Sequence, residues 1–250
     1  MTVGPAAAVT LGGVARWFGD GAHWRGSDGI PHRLAEHVAL CGLSLLVAAA
    51  VAVPVGVWLG HLRRGGVVAQ NVANIGRAIP SFAILVVAVP LVGIGSRPAQ
   101  IALVALAIPP LLTNTYVGMI TVDDDVRDAA QGMGMTGLQT VLRAELPLAG
   151  PLILAGLRTA TFQVIATATL AAEVAWGGLG RFIVDGLAVR DDTEVVCGSL
   201  LVIALALAAE AGFALVRRLL VPAALRRTEG SPRPQPLEES THAIRLDPAA

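Results

Sequence analysis

Long apolar runs constrain this chain more than any other feature. A helix that crosses a bilayer needs about 20 mostly apolar residues. Five stretches reach that length: 38–60 (VALCGLSLLVAAAVAVPVGVWLG), about 72–94, 99–120 (AQIALVALAIPPLLTNTYVGMI), about 149–175 and 196–220. Lipid offers no partner to backbone N–H and C=O groups, so such runs must close their hydrogen bonds internally, as helices. The sequence therefore predicts an all-α, polytopic membrane helix bundle with five core transmembrane helices. A hydrophobic content of 54% and a mean hydropathy of +0.68 agree with a membrane protein. Pro54, Pro90, Pro109 and Pro110 fall inside the runs, so bent helices are expected where neighbours or water satisfy the freed carbonyls. No internal repeat is visible.

The charged residues exclude several functions. Net charge is zero, so no global field points to nucleic acid. All 18 basic residues are arginine. Without lysine the chain cannot carry a Walker A phosphate loop or form a Schiff base. Cys41 and Cys197 both lie in apolar runs, far apart and without metal-ligand spacing, and read as small packing residues. The N-terminus does not read as a signal peptide, because its first basic residue, Arg16, follows the short apolar run 6–14.

Arginine also gives an expected orientation. With five spans, Arg63, Arg64, Arg127, Arg143, Arg217, Arg218, Arg226 and Arg227 share one side, the cytoplasm. Arg33, Arg97, Arg181 and Arg190 lie on the other, accompanied by Asp185, Asp191, Asp192 and Glu194. The N-terminus is thus expected outside and the C-terminus inside. Residues 1–37 form an extracytoplasmic segment carrying Trp17, Phe18 and Trp24, either interfacial or a loose extension. Residues 38–222 form the membrane domain. Residues 223–250, rich in Pro, Glu and Ser, read as a disordered cytoplasmic tail.

One polar segment, 123–147, interrupts the membrane pattern on the cytoplasmic side. Val126, Ala129, Ala130 and Met133 fall on one face of a helix. Asp123, Asp124 and Asp125 sit where a helix N-terminus favours negative charge. Gly132, Gly134 and Gly137 interrupt that helix, and Thr136 with Gln139 matches a capping box that would start another. Leu138, Val141, Leu142 and Leu146 give the second helix its own stripe before Pro147. Two short amphipathic helices around a glycine bend suit docking into a groove on a soluble partner; packing as an ordinary loop on its own bundle is the other reading.

This segment resembles the cytoplasmic motif of ABC importer permeases: EAA, three residues, Gly, nine residues, then Ile-x-Leu-Pro. Asp128, Ala129, Ala130, Gly134, Leu146 and Pro147 match at that spacing, with Asp128 in place of Glu and Ala144 in place of Ile. The resemblance extends over roughly 17–222. GIPHRLAEH (29–37), VPVGVWLGH (53–61), NIGRAIPSF (74–82), PPLLTNTYVG (109–118), GMGMTGLQ (132–139), LAGLRTAT (154–161), ATATLAAE (166–173) and GGLGRFIVDG (177–186) look like the permeases for quaternary-amine osmoprotectants. The residues Glu173 to Trp176 depart from that pattern, which has apolar and glycine residues before GGLG.

The resemblance implies a type I ABC importer permease fold that takes up glycine betaine, choline, carnitine or proline betaine. It implies a separate ABC ATPase subunit seated on residues 123–135, a second permease subunit, the same or a related chain, and an extracytoplasmic solute-binding protein. ATP and Mg belong to the ATPase, and no cofactor is expected on this chain. An ABC permease for another small solute, such as an amino acid, is one alternative. A channel or secondary carrier that needs no ATPase is another, though carriers often show inverted repeats.

The solute path is less legible. Quaternary ammonium groups favour aromatic cages, and this chain has few aromatics: Trp17, Phe18, Trp24 and Trp58 are spread over the N-terminal third, and only Trp176 and Phe182 are expected to cluster, near the outer end of the fourth span. Tight selection is therefore expected on the receptor. Ionisable residues within spans are functional candidates. Arg77, near a helix end, reads as snorkelling. Arg158 either lines the path or pairs with Glu145. Glu173 either attracts a cation at the outer mouth or packs at an interface. Trp176 reads as functional or as an interfacial anchor. Glu210 is expected in a structural pair, with Arg217 in reach only if the helix end bends. Asn114, Thr115 and Tyr116 line the path or bond between helices.

Overall fold

The computed structural model describes residues 10–78 and 80–220, without the side chains of residues 70, 77, 219 and 220. The tail expected over 223–250 and the side chain of Arg77 therefore lie outside the described residues. The described chain is helical: α1 (Leu11–Gly19), a 3-10 turn (Gly21–Trp24), α2 (Ile30–His61), α3 (Gly66–Ala78), α4 (Ser81–Val92), α5 (Ser96–Ile120), α6 (Asp124–Gly132), α7 (Gly137–Thr140), a π turn (Val141–Glu145), α8 (Leu146–Thr167), a second 3-10 stretch (Ala168–Val174), α9 (Gly180–Val189) and α10 (Asp192–Leu220).

Four of the five expected spans are single long helices: α2, α5, the continuous α7–α8 run and α10. The expected run at 72–94 is not one helix. It is the pair α3 and α4, which meet at 84°. Pro80 explains the break: it has no N–H for the ladder, and its own backbone is extended, φ −65° and ψ 122°, as the N-cap of α4. Counting the pair as one span gives five among the described residues. By contrast, Pro54, Pro90, Pro109 and Pro110 are accommodated inside helices.

The bundle is built around α2, α5 and α8. On α2, Ser44, Ala48, Ala52, Gly56 and Gly60 repeat every fourth residue and are all buried. This stripe lets backbones approach closely, which is how helices associate where lipid removes the hydrophobic drive. A Cβ on Gly60 would stand 2.4 Å from Met119 Cβ, and one on Gly56 would stand 2.8 Å from Thr115 Cβ. Gly156 of α8 meets Asn114 of α5 in the same way, at 2.7 Å. The main core then fills with Leu40, Leu85, Leu103, Leu111, Leu112, Val164 and Ile165.

The N-terminal segment is packed on the bundle. α2 begins at Ile30, eight residues before the apolar run does. Trp17 of α1 is buried with Ile30, Leu179, Phe182 and Cys197. Its ring meets Phe182 edge-on at 5.5 Å and stacks on His23 at 4.1 Å. Phe182 thus pairs with Trp17, not with Trp176 as sequence proximity suggested; Trp176 packs against the main core. Cys41 and Cys197 are both buried, as expected of packing residues.

Candidate functional site

Both ends of the bundle are tied by specific contacts. At one end, Asp123 caps α6 by accepting from the Asp125 N–H, and Asp124 and Asp125 occupy its first turn, where the helix dipole favours them. The helix stops in a Schellman arrangement: the Gly134 N–H bonds to the Gln131 carbonyl at 2.8 Å and the Met135 N–H to the Ala130 carbonyl at 3.1 Å. Such a stop needs a left-handed residue, and Gly134 supplies it with φ +79°. Thr136 then opens α7 with the anticipated capping box, its Oγ1 accepting from Gln139 and the Gln139 side chain accepting from Thr136.

The hairpin turns most of its apolar face away from the bundle. Of the four apolar residues assigned to one side of α6, only Ala130 is buried. Val126, Ala129 and Met133 are exposed, as are Leu138 and Leu142 beyond the bend. The second stripe divides: Val141 and Leu146 pack with Met119 and Ala149, while Leu138 and Leu142 point away.

Arg127 holds the hairpin to the bundle. Its Nη2 donates to the Met119 carbonyl at 2.9 Å and its Nη1 to the His61 carbonyl at 3.4 Å. One guanidinium thus joins the C-terminal ends of α5 and α2, where carbonyls lack helical partners and the dipole favours a cation. Its Nε lies 3.2 Å from Glu145 Oε1, an ion-pair distance without hydrogen-bond alignment. Glu145 is fully buried, and His61 Nδ1 meets both its oxygens, at 3.0 and 2.9 Å. A second link lies outside this cluster, where Arg63 pairs with Asp124 and donates to the Val122 carbonyl.

At the opposite end, Glu36 of α2 accepts from the Gly178 N–H at 2.8 Å and pairs with Arg33 at 2.9 Å. The GGLG run serves this junction. A Cβ on Gly177 would overlap the Glu36 carboxylate, and one on Gly180 would lie 2.1 Å from the Thr169 carbonyl. His37 is buried beside them, with Nε2 3.1 Å from the Ile165 carbonyl. Between the two ends, a cavity of 430 Å³ opens where α3 and α4 diverge. Its walls are Ala73, Gly76, Ser81, Leu106, Pro109 and Pro110, with the polar groups of Thr113, Asn114, Thr159 and Gln163.

The chain matches the binding-protein-dependent transport system inner membrane component family over residues 52–226. It is 37% identical to a choline transport system permease protein of Bacillus subtilis, over 77% of this chain and 88% of that one. It is 35% identical to a glycine betaine/carnitine/choline transport system permease protein of the same organism, over 78% and 90%. A carnitine transport permease protein of Listeria monocytogenes is 35% identical over 76% and 88%. The chain belongs to this family of importer permeases. Its fold is shared with the MetNI methionine ABC transporter in an inward facing form, at a TM-score of 0.69 over 77% of this chain and 96% of that one, with 21% identity. The protein is thus the membrane-spanning permease subunit of an ABC importer, a multi-pass membrane protein.

The permease distributes its sequence-predicted residues among several places. Asp128, Ala129, Gly134 and Pro147 are exposed on the hairpin or its junction with α8, whereas Ala130 is buried and Leu146 half-buried. Asn114 lines the cavity and donates from Nδ2 to the Pro110 carbonyl at 2.8 Å. Tyr116 faces the start of α3, its hydroxyl 2.9 Å from where a Gly66 Cβ would stand. Glu173 is exposed near the Glu36 end, and the Trp176 indole N–H is buried without a partner among the described residues. Arg158 does not reach Glu145. It forms a two-pronged pair with Glu210 of α10. Glu145 lies about three and a half helical turns before Arg158 and turns inward to Arg127 instead.

Sequence reasoning missed the joint role of Arg127, Glu145 and His61, and it missed Thr159 and Gln163 on the cavity wall. Arg127, Glu145 and His61 sit in three different segments, and Thr159 and Gln163 are uncharged residues within one apolar run. The one available signal was a carboxylate placed inside the apolar stripe Val141, Leu142, Leu146.

Proposed function

We propose that this permease carries a quaternary-amine osmoprotectant, of the glycine betaine, choline, carnitine or proline betaine class, driven by a separate ABC ATPase on the cytoplasmic side. The observation that carries the coupling part is the exposed apolar face of a hairpin whose other side is fastened by a buried guanidinium. Val126, Ala129, Met133 and Leu138 suit a groove-lined partner, while Arg127 keeps the helix from sliding freely. In this reading Asp128, Ala129, Ala130 and Gly134 seat the hairpin in the ATPase, and Leu146 and Pro147 hand its movement to α8. ATP and Mg stay on that partner. The N-terminus lies outside and the hairpin and C-terminus inside.

The substrate class is supported by relatives named for choline, carnitine and glycine betaine transport. The cavity lining is uncharged and free of aromatic rings, so it offers hydrogen bonds rather than a cation cage. A weakly binding path suits solute selection by an extracytoplasmic binding protein. A second permease subunit completes the path against the open faces of this one.

Gly134→Val tests the coupling reading. The Cβ there has open space but the backbone has φ +79°, so the substitution strains the turn without touching the bundle. Uptake and copurification of the ATPase should fall together; normal uptake would leave a channel or carrier as the better reading. Competition of radiolabelled choline uptake by betaine, carnitine and an amino acid ranks the solutes. Inhibition by the amino acid alone would refute the quaternary-amine assignment. Glu173→Gln should reduce choline uptake at low salt if that carboxylate attracts cations at the mouth, and unaltered uptake removes it from the path.

A further inference from the structure

From the geometry around Glu145 we infer that Glu145, Arg127 and His61 form the joint that converts movement of the hairpin into movement of the membrane helices. The joint presupposes that an ATPase grips the hairpin, as proposed above. Each member belongs to a different moving part: Arg127 to α6, His61 to the end of α2, and Glu145 to the turn that opens α8.

The location of Glu145 is a consequence of helix geometry. The Leu146 N–H bonds to the Val141 carbonyl, five residues back, which makes 141–145 a π turn. Pro147 follows directly and has no N–H to restore the regular ladder. The extra residue in the turn rotates the side chains that precede it relative to those that follow. Leu146 and Ala149 still pack against Met119, while Glu145 turns inward to complete burial.

A buried carboxylate needs its lone pairs met. Here His61 Nδ1 bonds to both oxygens, at 3.0 and 2.9 Å, and Arg127 Nε stands 3.2 Å away as the opposite charge. The remaining guanidinium nitrogens hold the carbonyl ends of α2 and α5. A displacement of α6 must therefore either move α2, α5 and α8 together or break a buried ion pair, which is costly. Hydrophobic contact alone does not enforce this, because the apolar side of the hairpin mostly faces away from the bundle. Glu145 and Arg127 thus act as positioning residues, contacting neither nucleotide nor solute.

The test uses the full transporter in proteoliposomes, with ATPase and solute receptor, and reads solute imported per ATP hydrolysed. Glu145→Gln keeps the shape and removes the charge. It should copurify with the ATPase at the wild-type ratio and hydrolyse ATP, while solute per ATP falls roughly tenfold or more, the scale of ordinary coupling free energies. Arg127→Lys, which keeps the charge but loses the fork that reaches two carbonyls, should uncouple as well. Combining it with Glu145→Gln should add little, since both remove one joint.

An unchanged solute-to-ATP ratio in Glu145→Gln would overturn the inference, as would transport and hydrolysis falling in parallel with assembly intact. If Glu145→Gln does not accumulate in the membrane, His61→Gln supplies the same readout, because it removes only the outer arm of the joint. Failure of the wild-type chain to copurify with any ATPase would instead refute the ATP-driven reading itself.

Discussion

Single residues in this permease divide between those set by lipid and those set by a neighbour. Arg158 and Glu210 illustrate the first kind. They pair across α8 and α10, with side chains 52% and 38% exposed on this chain. Facing lipid or a second subunit, either charge alone would be stranded, at about 2.5–3.5 kcal/mol for a charge at mid-membrane on an insertion scale. Arg158→Leu and Glu210→Leu should therefore each lower accumulation in the membrane, and the double substitution should recover most of it. Quantitative blotting of membrane fractions checks this; a double variant worse than either single would mean that the pair has a role beyond mutual neutralisation. Sequence reading found both ionisable residues but did not join them: it left Arg158 to the path or to Glu145, and Glu210 to Arg217 if the helix end bends, because pairing depends on which faces two helices turn to each other.

At the scale of elements, the hairpin and the small-residue stripe were legible to different degrees. The capping box and the glycine bend are local, each satisfied within a few residues, and both appear where the sequence placed them. Thr136→Ala removes a cap worth about 1 kcal/mol. Hydrogen exchange should quicken in residues 137–145 while α2 and α5 keep their protection; uniform loss of protection would show that the cap supports the whole bundle. The stripe from Ser44 to Gly60 was not read from the sequence, because its meaning depends on the facing helix α5. Gly60→Leu should prevent α2 from seating on Met119, since an overpacked site costs about 1–3 kcal/mol even where repacking is possible. Detergent-solubilised variant should unfold at lower temperature than wild type, and an unchanged Tm would remove that contact from the list of those that hold the bundle.

At the scale of the whole molecule, contacts establish which segments share an end. Arg63, His61, Met119 and Arg127 meet at one end, and Arg33, Glu36, Gly178 and Trp17 gather at the other. The arginine bias then predicts that the first end faces the cytoplasm. Met133→Cys should react with a membrane-impermeant maleimide only in inverted vesicles, and Asp28→Cys only in right-side-out cells. Cys41 and Cys197 are buried and should give little background. Labelling of Met133→Cys from outside the cell would invert the topology and remove the ATPase reading with it.

The sequence alone determined the class of the molecule and the position of its polar hairpin. Apolar run length dictates spanning helices, and a cap, a left-handed glycine and a terminal proline act over a few residues, so one dimension suffices to specify them. Tertiary structure decided what those helices do to each other. It broke the second run at Pro80, docked Trp17 on Phe182, opened the cavity between α3 and α8 and gathered Arg127, Glu145 and His61. These arrangements depend on helix rotation and on the one-residue slip of a π turn, which bring together residues as far apart in the chain as Trp17 and Phe182. No pattern read along the chain encodes such distances, because they arise only once several helices are packed.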